Sequence, residues 1–369
     1  MNWKVKYINY PLHFRNMEAE VMDTVRDVLS RGDLILRKQT DDFETNLATF
    51  CGTRYAVGVG NCTEALYLAY RAADIGPGDE VITTAHTFVA TISMLVKAGA
   101  TPVLVDVGDD HNIDPDAIEA AITPRTRAIV PVSLNGRCCD LPRIKHIAEK
   151  HHLVIVEDSA QALGATVDGK PAGTFGMAGC FSFYPAKLLG AFGDAGAVIT
   201  DDPAIADRVR LTRNHGRRAS DGEIVEWSFN CRIDNLHAAI LDLKLKKLPA
   251  WLERRRAIAR LYTQELSRCG NVVLPPAPDR DPRFHNVYQN YEIEAENRDA
   301  LVSHLKAKGV ETMLPWSGKA VHQFAALDLK FDLPKTDRLF GRVLMLPMYA
   351  ELTDDEVCYV ADCVRRFYR

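Results

Sequence analysis

Val154-Ile155-Val156-Glu157-Asp158 is an apolar run that ends in two carboxylates, and Ser159-Ala160-Gln161 follows it. The run lacks polar alternation, which predicts a strand buried on both faces. Short runs of similar character occur at 55–59, 80–84, 102–107, 128–133, 180–183 and 196–200, and helical patterns at 63–74, 87–97, 115–122 and 141–151. This alternation predicts an α/β domain whose mainly parallel, seven-stranded sheet is covered by helices.

The sequence changes in character after Trp227. Two long helices are predicted at 235–247 and 251–269, and Pro275-Pro276 and Pro278 then indicate a loop. A strand at 288–293 and helices at 298–308 and 354–367 complete the pattern. We therefore expect a large domain with an N-terminal arm over 1–250 and a small α+β domain over 251–369.

The composition excludes several classes of protein. The 369 residues are 47% hydrophobic and 25% charged with a formal net charge of −4, so no basic excess indicates a nucleic-acid binder. The apolar runs are strand-sized, and the first residues do not resemble a signal peptide, so we expect a cytoplasmic protein. Nine cysteines without a C-x-x-C pair predict neither a disulfide framework nor a metal site. The adjacent Cys138 and Cys139 are either a redox pair or two ordinary thiols.

The first motif with chemical meaning is Gly58-Val59-Gly60-Asn61-Cys62-Thr63-Glu64, a strand that passes through a polar turn into a helix. Free N–H groups at the start of a helix, together with the helix dipole, favour an anion such as a phosphate. The alternative is a simple capped helix after a strand. The motif alone does not decide between them.

Two ionisable residues follow strands of the predicted sheet. Asp158 stands at the carboxyl end of its strand, where open α/β sheets bind ligands, and a buried carboxylate there needs a partner such as a protonated pyridine nitrogen. Its alternative role is to cap the next helix. Lys187 closes the motif Phe181-Ser182-Phe183-Tyr184-Pro185-Ala186-Lys187. Apolar surroundings would lower the pKa of this lysine and favour Schiff-base chemistry, whereas a surface lysine would extend its amine into water.

A third group is the aromatic ring of Phe88, which follows the strand at 80–84 and could stack on a flat heteroaromatic cofactor or simply pack in the core. The polar turn of residues 58–64, which we call the anion cradle, a stacking ring, a carboxylate and an amine together match the requirements of pyridoxal phosphate. The combination predicts that this molecule is the cofactor.

The sequence also resembles the DegT-type nucleotide-sugar aminotransferases, a branch of the fold type I pyridoxal-phosphate enzymes. The resemblance covers nearly the whole chain from about residue 43. It is most specific in five stretches: Gly76-Pro77-Gly78-Asp79-Glu80-Val81-Ile82, Glu157-Asp158-Ser159-Ala160-Gln161, Phe181–Lys187, Arg213-Asn214-His215-Gly216 and Phe229-Asn230-Cys231-Arg232-Ile233-Asp234.

The resemblance implies roles for individual residues. Lys187 would hold the internal aldimine and Asp158 would pair with the pyridine nitrogen, so these two are the predicted catalytic residues. Further cofactor contacts are implied for Cys62 and Thr63 (backbone N–H to phosphate), Ser182 (hydroxyl to phosphate), Phe88 (ring stacking), Gln161 (phenolic oxygen) and Asn230 (phosphate, from the neighbouring subunit). An Asn230 that acts across subunits implies a homodimer with shared active sites. Cys62-Thr63 stands where the family usually has Gly-Thr, and this departure still allows the backbone contact.

The resemblance implies a ping-pong transamination from L-glutamate to a keto group of a nucleotide-linked sugar, and the likeness of the Leu346-Pro347-Met348 region to the family implies a 4-keto-6-deoxyhexose. Relatives contact the sugar nucleotide near Trp316, Lys319 and His322, although ordinary loop roles fit these residues equally well. Arg232 and His215 are further substrate-site candidates: each could bind a substrate carboxylate or form a structural ion pair, and the sequence does not decide between these roles. Two alternatives stay open at this point: a fold type I aminotransferase acting on a keto-cyclitol or another small keto substrate, and a non-catalytic regulator that binds pyridoxal phosphate.

Overall fold

The computed structural model describes residues 3–369 and contains thirteen strands within that range. In chain order they are β1 (Tyr55–Val59), β2 (Glu80–Thr84), β3 (Thr101–Val105), β4 (Thr126–Ile129), β5 (Val154–Asp158), β6 (Thr166–Val167), β7 (Lys170–Pro171), β8 (Ala178–Ser182), β9 (Gly196–Thr200), β10 (Val272–Val273), β11 (Phe284–His285), β12 (Tyr291–Ala295) and β13 (Val343–Leu346).

Helices surround these strands and also form the N-terminal region. They are α1 (Tyr10–Arg15), α2 (Glu18–Arg31), α3 (Lys38–Cys51), α4 (Cys62–Ala72), α5 (Val89–Ala98), α6 (Pro115–Ala120), α7 (Leu141–Lys150), α8 (Pro203–Thr212), α9 (Asn235–Leu245), α10 (Leu248–Leu266), α11 (Arg298–Ala307), α12 (Pro334–Phe340) and α13 (Asp354–Phe367). The sequence analysis did not anticipate α1, α2, α3, α8 and α12.

The central sheet has seven strands in the order β1-β9-β8-β5-β4-β2-β3. Its pairs from β8 to β3 are parallel, whereas β9 is antiparallel to both of its neighbours. Two apolar clusters cover the sheet, which explains why its strands read as nearly continuous apolar runs. The predicted fold class, including the mainly parallel seven-stranded sheet, is confirmed.

A second, smaller sheet in the order β10-β12-β13 packs with α10, α11 and α13 around a core of its own. Helix α10 spans the change between cores, because Leu252 belongs to the core of the large sheet and Tyr262 to that of the small one. Val5, from the N-terminal arm, also packs in the small core. The division near residue 250 remains our proposal.

Several predicted boundaries were wrong by a few residues. The strand expected over 128–133 ends at Ile129, and its continuation contains Pro131, which has no N–H for a ladder. The strand expected at 288–293 is Tyr291–Ala295, since Tyr288 has a φ of 50°, outside the β region. The helix expected over 87–97 is Val89–Ala98, so Phe88 is its N-cap residue.

Candidate functional site

The carboxyl end of β5 places Asp158 in a buried hydrogen-bonded position. Its Oδ2 accepts a 2.7 Å hydrogen bond from the Thr91 hydroxyl, and its Oδ1 accepts one from the Ala160 N–H at 3.2 Å. The Thr87 and Thr91 hydroxyl oxygens are 2.7 Å apart, so Thr91 accepts from Thr87 while it donates to the carboxylate. Burial raises the pKa of Asp158, while these hydrogen bonds and Lys187 lower it. The carboxylate forms no ion pair among residues 3–369.

The turn after β1 opens into the first turn of α4. The Asn61 side chain caps the helix by accepting from the Glu64 N–H at 2.9 Å, which leaves the N–H groups of Cys62 and Thr63 without an intrahelical acceptor. Gly196 lies against this turn, because a Cβ at that position would be 2.7 Å from the Cys62 nitrogen. The turn therefore has the free N–H donors that an anion requires.

Ser182 and Lys187 reach the same region from the end of β8. Ser182 pairs with Gly196 in the sheet, so its half-buried side chain lies beside the turn that contains Cys62. Burial lowers the pKa of the Lys187 amine, and the nearby Cys62 and Asp158 oppose that shift. A lysine of lowered pKa is more readily the neutral nucleophile. The structure thus brings the predicted anion cradle, the carboxylate and the lysine together.

Phe88 is placed by the loop between β2 and α5. Its side chain is 56% exposed, whereas Thr87 before it is buried. Because Thr91 on the same helix is bonded to Asp158, the exposed ring of Phe88 stands at the same edge of the sheet. A ring that is not buried in the core is free to stack on a ligand.

The side chain of Gln161 is held by two asparagines. Its Oε1 accepts from the Asn135 N–H at 2.9 Å and from the Asn290 amide at 3.2 Å. The Asn290 amide also donates to the Asn135 Oδ1 at 2.8 Å, and its own Oδ1 accepts from the Tyr7 hydroxyl at 2.9 Å. With the oxygen of Gln161 occupied, its NH₂ group is the end available to an acceptor.

A buried charged group supports this amide network. Glu292 accepts from the Asn135 amide at 3.0 Å and from the His111 Nδ1 at 2.9 Å. The hydrogen bonds to Glu292 and Glu294 outweigh burial and raise the pKa of His111 to about 9, and His111 together with His86 lowers the pKa of Glu292. A protonated His111 keeps the buried Glu292 ionised.

The segment that carries Asn230, Arg232 and His215 lies beside the anion cradle. The Gly60 N–H donates to the Cys231 carbonyl at 2.9 Å, which attaches this segment to the turn after β1. Arg232 donates to the Asn214 side chain at 2.9 Å, while its Nε is buried without a partner among the described residues. Asn230 and His215 are exposed. The arrangement leaves all three candidates available to a ligand.

Trp316, Lys319 and His322 lie in a loop of the small domain that docks at the end of β2. The Val321 N–H donates to the Ala85 carbonyl at 3.2 Å, and the Trp316 ring contacts the His86 ring edge-on with centroids 5.2 Å apart. Lys319 is exposed. The Nε2 of His322 is 3.0 Å from Asp337, and its Nδ1 is buried without a partner among residues 3–369. The loop is thus close to the loop that carries Phe88.

Sequence reasoning missed the residues that orient the site. Thr91 was inside the motif at 85–91, and its spacing of four residues from Thr87 was the available signal. Asn135 and Asn290 are far apart in sequence and gave no signal. The two interpretations of Cys138 and Cys139 are also distinguished: both thiols are buried and burial raises their pKa, which favours ordinary thiols over a redox pair.

None of the helices formed by residues 3–369 combines the length and the apolar character needed to cross a membrane.

Comparison with curated proteins identifies close relatives. The chain is 39% identical to a pleiotropic regulatory protein of Geobacillus stearothermophilus, with 96% of each chain covered. It is 38% identical to the dTDP-3-amino-3,4,6-trideoxy-alpha-D-glucose transaminase of Streptomyces venezuelae, with 99% of this chain and 96% of the relative covered.

Solved structures give the same result. DesV of Streptomyces venezuelae, in complex with a ketimine intermediate, superposes with a TM-score of 0.95 at 37% identity and covers 99% of this chain and 98% of its own. A putative sugar aminotransferase of Streptococcus pneumoniae in its PLP-form has a TM-score of 0.87 at 27% identity. The match covers 94% of this chain and 95% of the solved chain. The model of the DegT/DnrJ/EryC1/StrS aminotransferase family matches residues 15–365. The chain therefore belongs to the DegT/DnrJ/EryC1/StrS aminotransferase family, as its sequence motifs predicted.

Proposed function

We propose that this protein is a pyridoxal-phosphate-dependent aminotransferase that moves an amino group from L-glutamate to a keto group of a nucleotide-linked sugar by a ping-pong mechanism. The observation that carries the proposal is the convergence of three groups at one edge of the sheet. These are the buried carboxylate of Asp158, the amine of Lys187 and the free N–H groups of Cys62 and Thr63. The family match and the named transaminase relatives support the same class of reaction.

The residues present fit the cofactor. The Cys62–Thr63 turn and Ser182 would hold its phosphate, and Phe88 would stack on its ring. Asp158 would pair with the protonated ring nitrogen, which gives this buried carboxylate the cation it lacks among the described residues. When bound, pyridoxal phosphate supplies an electron sink for charge that develops at the substrate carbon.

The side chains of the protein perform the remaining tasks. The Lys187 amine, with its pKa lowered by burial, takes a proton from the α-carbon of the amino donor and later returns one. The NH₂ group of Gln161, oriented by Asn135 and Asn290, would donate to the phenolic oxygen. Asp158 would keep the ring nitrogen protonated while the cofactor is bound.

The acceptor is proposed from the relatives and the loop at Trp316, Lys319 and His322. The Streptomyces venezuelae relative is named for a 3-amino sugar. That name favours a 3-keto acceptor over the 4-keto-6-deoxyhexose suggested by the C-terminal sequence. The keto-cyclitol alternative would need no diphosphate contact, so Lys319 distinguishes the two acceptor classes.

We expect Lys319→Ala to raise KM for the sugar nucleotide about 10-fold with little change in kcat, since an exposed ammonium contributes to binding through charge. The effect should shrink at high salt. Steady-state kinetics with varied sugar nucleotide give the result, and Lys330→Ala, another exposed lysine of the same region, is the matched control. An unchanged KM in Lys319→Ala would remove this residue from the proposed acceptor site.

The active sites are proposed to be shared in a homodimer. Trp227 is fully exposed and Phe229 is 60% exposed, next to the predicted phosphate ligand Asn230. Large exposed aromatic side chains of this kind are typical of protein interfaces.

Mixing inactive subunits tests the shared site. Lys187→Ala and Asn230→Ala homodimers should each be impaired, whereas a refolded equal mixture should regain about a quarter of the wild-type sites, because half of its dimers contain one site with both native residues. Analytical ultracentrifugation of the mixture verifies the dimer. Activity of the mixture no higher than the average of its parents would show that Asn230 acts within its own subunit.

The overall function is tested by the absorption spectrum of the purified protein before and after L-glutamate is added. We expect the band of the lysine-bound cofactor to decline as that of the amino form grows, because the first half-reaction needs no sugar. A band that glutamate leaves unchanged would indicate another donor, or the regulator alternative that the name of the Geobacillus relative suggests. Absence of any cofactor band after addition of pyridoxal phosphate would refute the proposal.

A further inference from the structure

The loop that carries Lys187 is fastened on both sides by one buried side chain. Gln289 accepts a 2.8 Å hydrogen bond at Oε1 from the Leu188 N–H and donates a 2.7 Å hydrogen bond from Nε2 to the Ala186 carbonyl. These two backbone groups immediately precede and follow Lys187. The Gln289 side chain is buried, with the residue 5% exposed, so water competes little for either contact.

Gln289 is itself held in place. The Arg255 guanidinium donates to the Gln289 carbonyl at 3.2 Å and to the Tyr288 carbonyl at 3.1 Å. Gly136 packs against the same backbone, because a Cβ there would lie 2.5 Å from the Gln289 nitrogen. Because the backbone of Gln289 is constrained in this way, its side chain has little freedom to move with the loop that carries Lys187. The position of the loop therefore depends on the Gln289 side chain.

We propose that Gln289 is a positioning residue that directs the amine of Lys187 toward Asp158 and the anion cradle. The inference rests on the proposed function, in which Lys187 reacts with the cofactor. The two hydrogen bonds fix the backbone on either side of Lys187, which sets the direction of its Cα–Cβ bond. Neither Gln289 nor its contacts touch the reacting atoms, so the residue acts through Lys187 alone.

The affected step is the capture of added pyridoxal phosphate by the apoprotein. The neutral Lys187 amine attacks the aldehyde carbon, a carbon–nitrogen double bond forms, and the aldehyde oxygen leaves as water with the two amine hydrogens. A misdirected amine slows this step without changing the phosphate contacts, because orientation contributes to rate separately from binding.

The test uses the full-length apoprotein and three variants of Gln289. Gln289→Met keeps the volume of the side chain and removes both hydrogen bonds, Gln289→Glu keeps only the acceptor for Leu188, and Gln289→Ala removes the side chain. Asn235→Ala is the matched control, since Asn235 is also a buried amide that joins two backbone segments, at Asp33 and Thr40. Readouts are the rate at which the lysine-bound cofactor band appears, the affinity for pyridoxal phosphate, and hydrogen exchange at Leu188.

We expect Gln289→Met to slow formation of the lysine-bound cofactor band about 10-fold, and Gln289→Glu to have an intermediate rate. The affinity for pyridoxal phosphate in the initial non-covalent complex should change little, because the phosphate contacts are intact. Exchange at Leu188 should accelerate in Gln289→Met, while Asn235→Ala leaves both readouts at the wild-type level. Normal band formation in Gln289→Met despite faster exchange at Leu188 would overturn the inference. If Gln289→Ala does not fold, the comparison of Gln289→Met with Gln289→Glu still shows whether the two hydrogen bonds position Lys187. Failure of the wild type to form the band would refute the proposed function instead.

Discussion

Lys187→Ala should lose the glutamate half-reaction by about 10⁴-fold or more, because the variant lacks the residue that we propose both as the nucleophile that holds the cofactor and as the base that moves the proton. The side chain lies near Asp158 and Cys62, and burial lowers its pKa, which favours the neutral amine that both tasks require. Stopped-flow absorbance after addition of L-glutamate measures the loss.

Two further variants separate the amine from its charge. Lys187→Arg keeps a positive charge but cannot become a neutral nucleophile at accessible pH, so it should be as inactive as Lys187→Ala. Lys145→Ala removes a half-buried lysine that pairs with Glu149 on α7 and should retain wild-type turnover. Substantial turnover in Lys187→Ala would contradict the assignment of this residue.

Asp158→Ala should lower kcat by about 10³-fold, the order expected when a protein no longer stabilises charge that develops in the transition state. Asp158→Asn keeps the size of the side chain and still accepts from Thr91, but it cannot stabilise a protonated ring nitrogen by charge. We expect it to be nearly as impaired. Single-turnover rates with saturating glutamate measure the effect apart from binding, and a wild-type rate in Asp158→Asn would exclude the ion pair.

Thr91 provides the control for this interpretation. Thr91→Val removes the 2.7 Å hydrogen bond to Asp158 but leaves the carboxylate in place. The single-turnover rate of Thr91→Val should fall about 10-fold, since a hydrogen bond to a charged group contributes about 1.5–3 kcal/mol. Thr91→Ser, which restores a hydroxyl, should recover most of the rate.

The same carboxylate gives the apoprotein a pH-dependent stability. Its pKa is raised above the ordinary value of 3.8, so the folded state binds the proton more tightly than the unfolded state does. The stabilisation from this protonation is complete below the unfolded pKa and is lost as the pH rises through the folded pKa. Apoprotein with Asp158→Asn should therefore gain Tm relative to wild type at neutral pH but not near pH 3. A gain of equal size at both pH values, measured by calorimetry, would contradict this origin.

Local patterns in the sequence determined the fold class and the chemically distinctive residues. Apolar strands buried on both faces have a recognisable composition, and Asp158 and Lys187 were identified because each follows such a strand. Strand ends were less accurate, as at Ile129 and Tyr291, because the end of a ladder depends on the partner strand as much as on local preference.

Tertiary structure decided what orients those residues. Thr91 reaches Asp158 across 67 positions of sequence, and Gln289 reaches Leu188 across 101. Asn290 likewise reaches Gln161 across 129 positions. Hydrogen bonds between distant segments leave no periodicity in the chain, since they depend on where the packed sheets and helices bring two backbones together. The sequence by itself predicted which groups would react, and only the packing of segments that are distant in the chain decided how those groups are oriented.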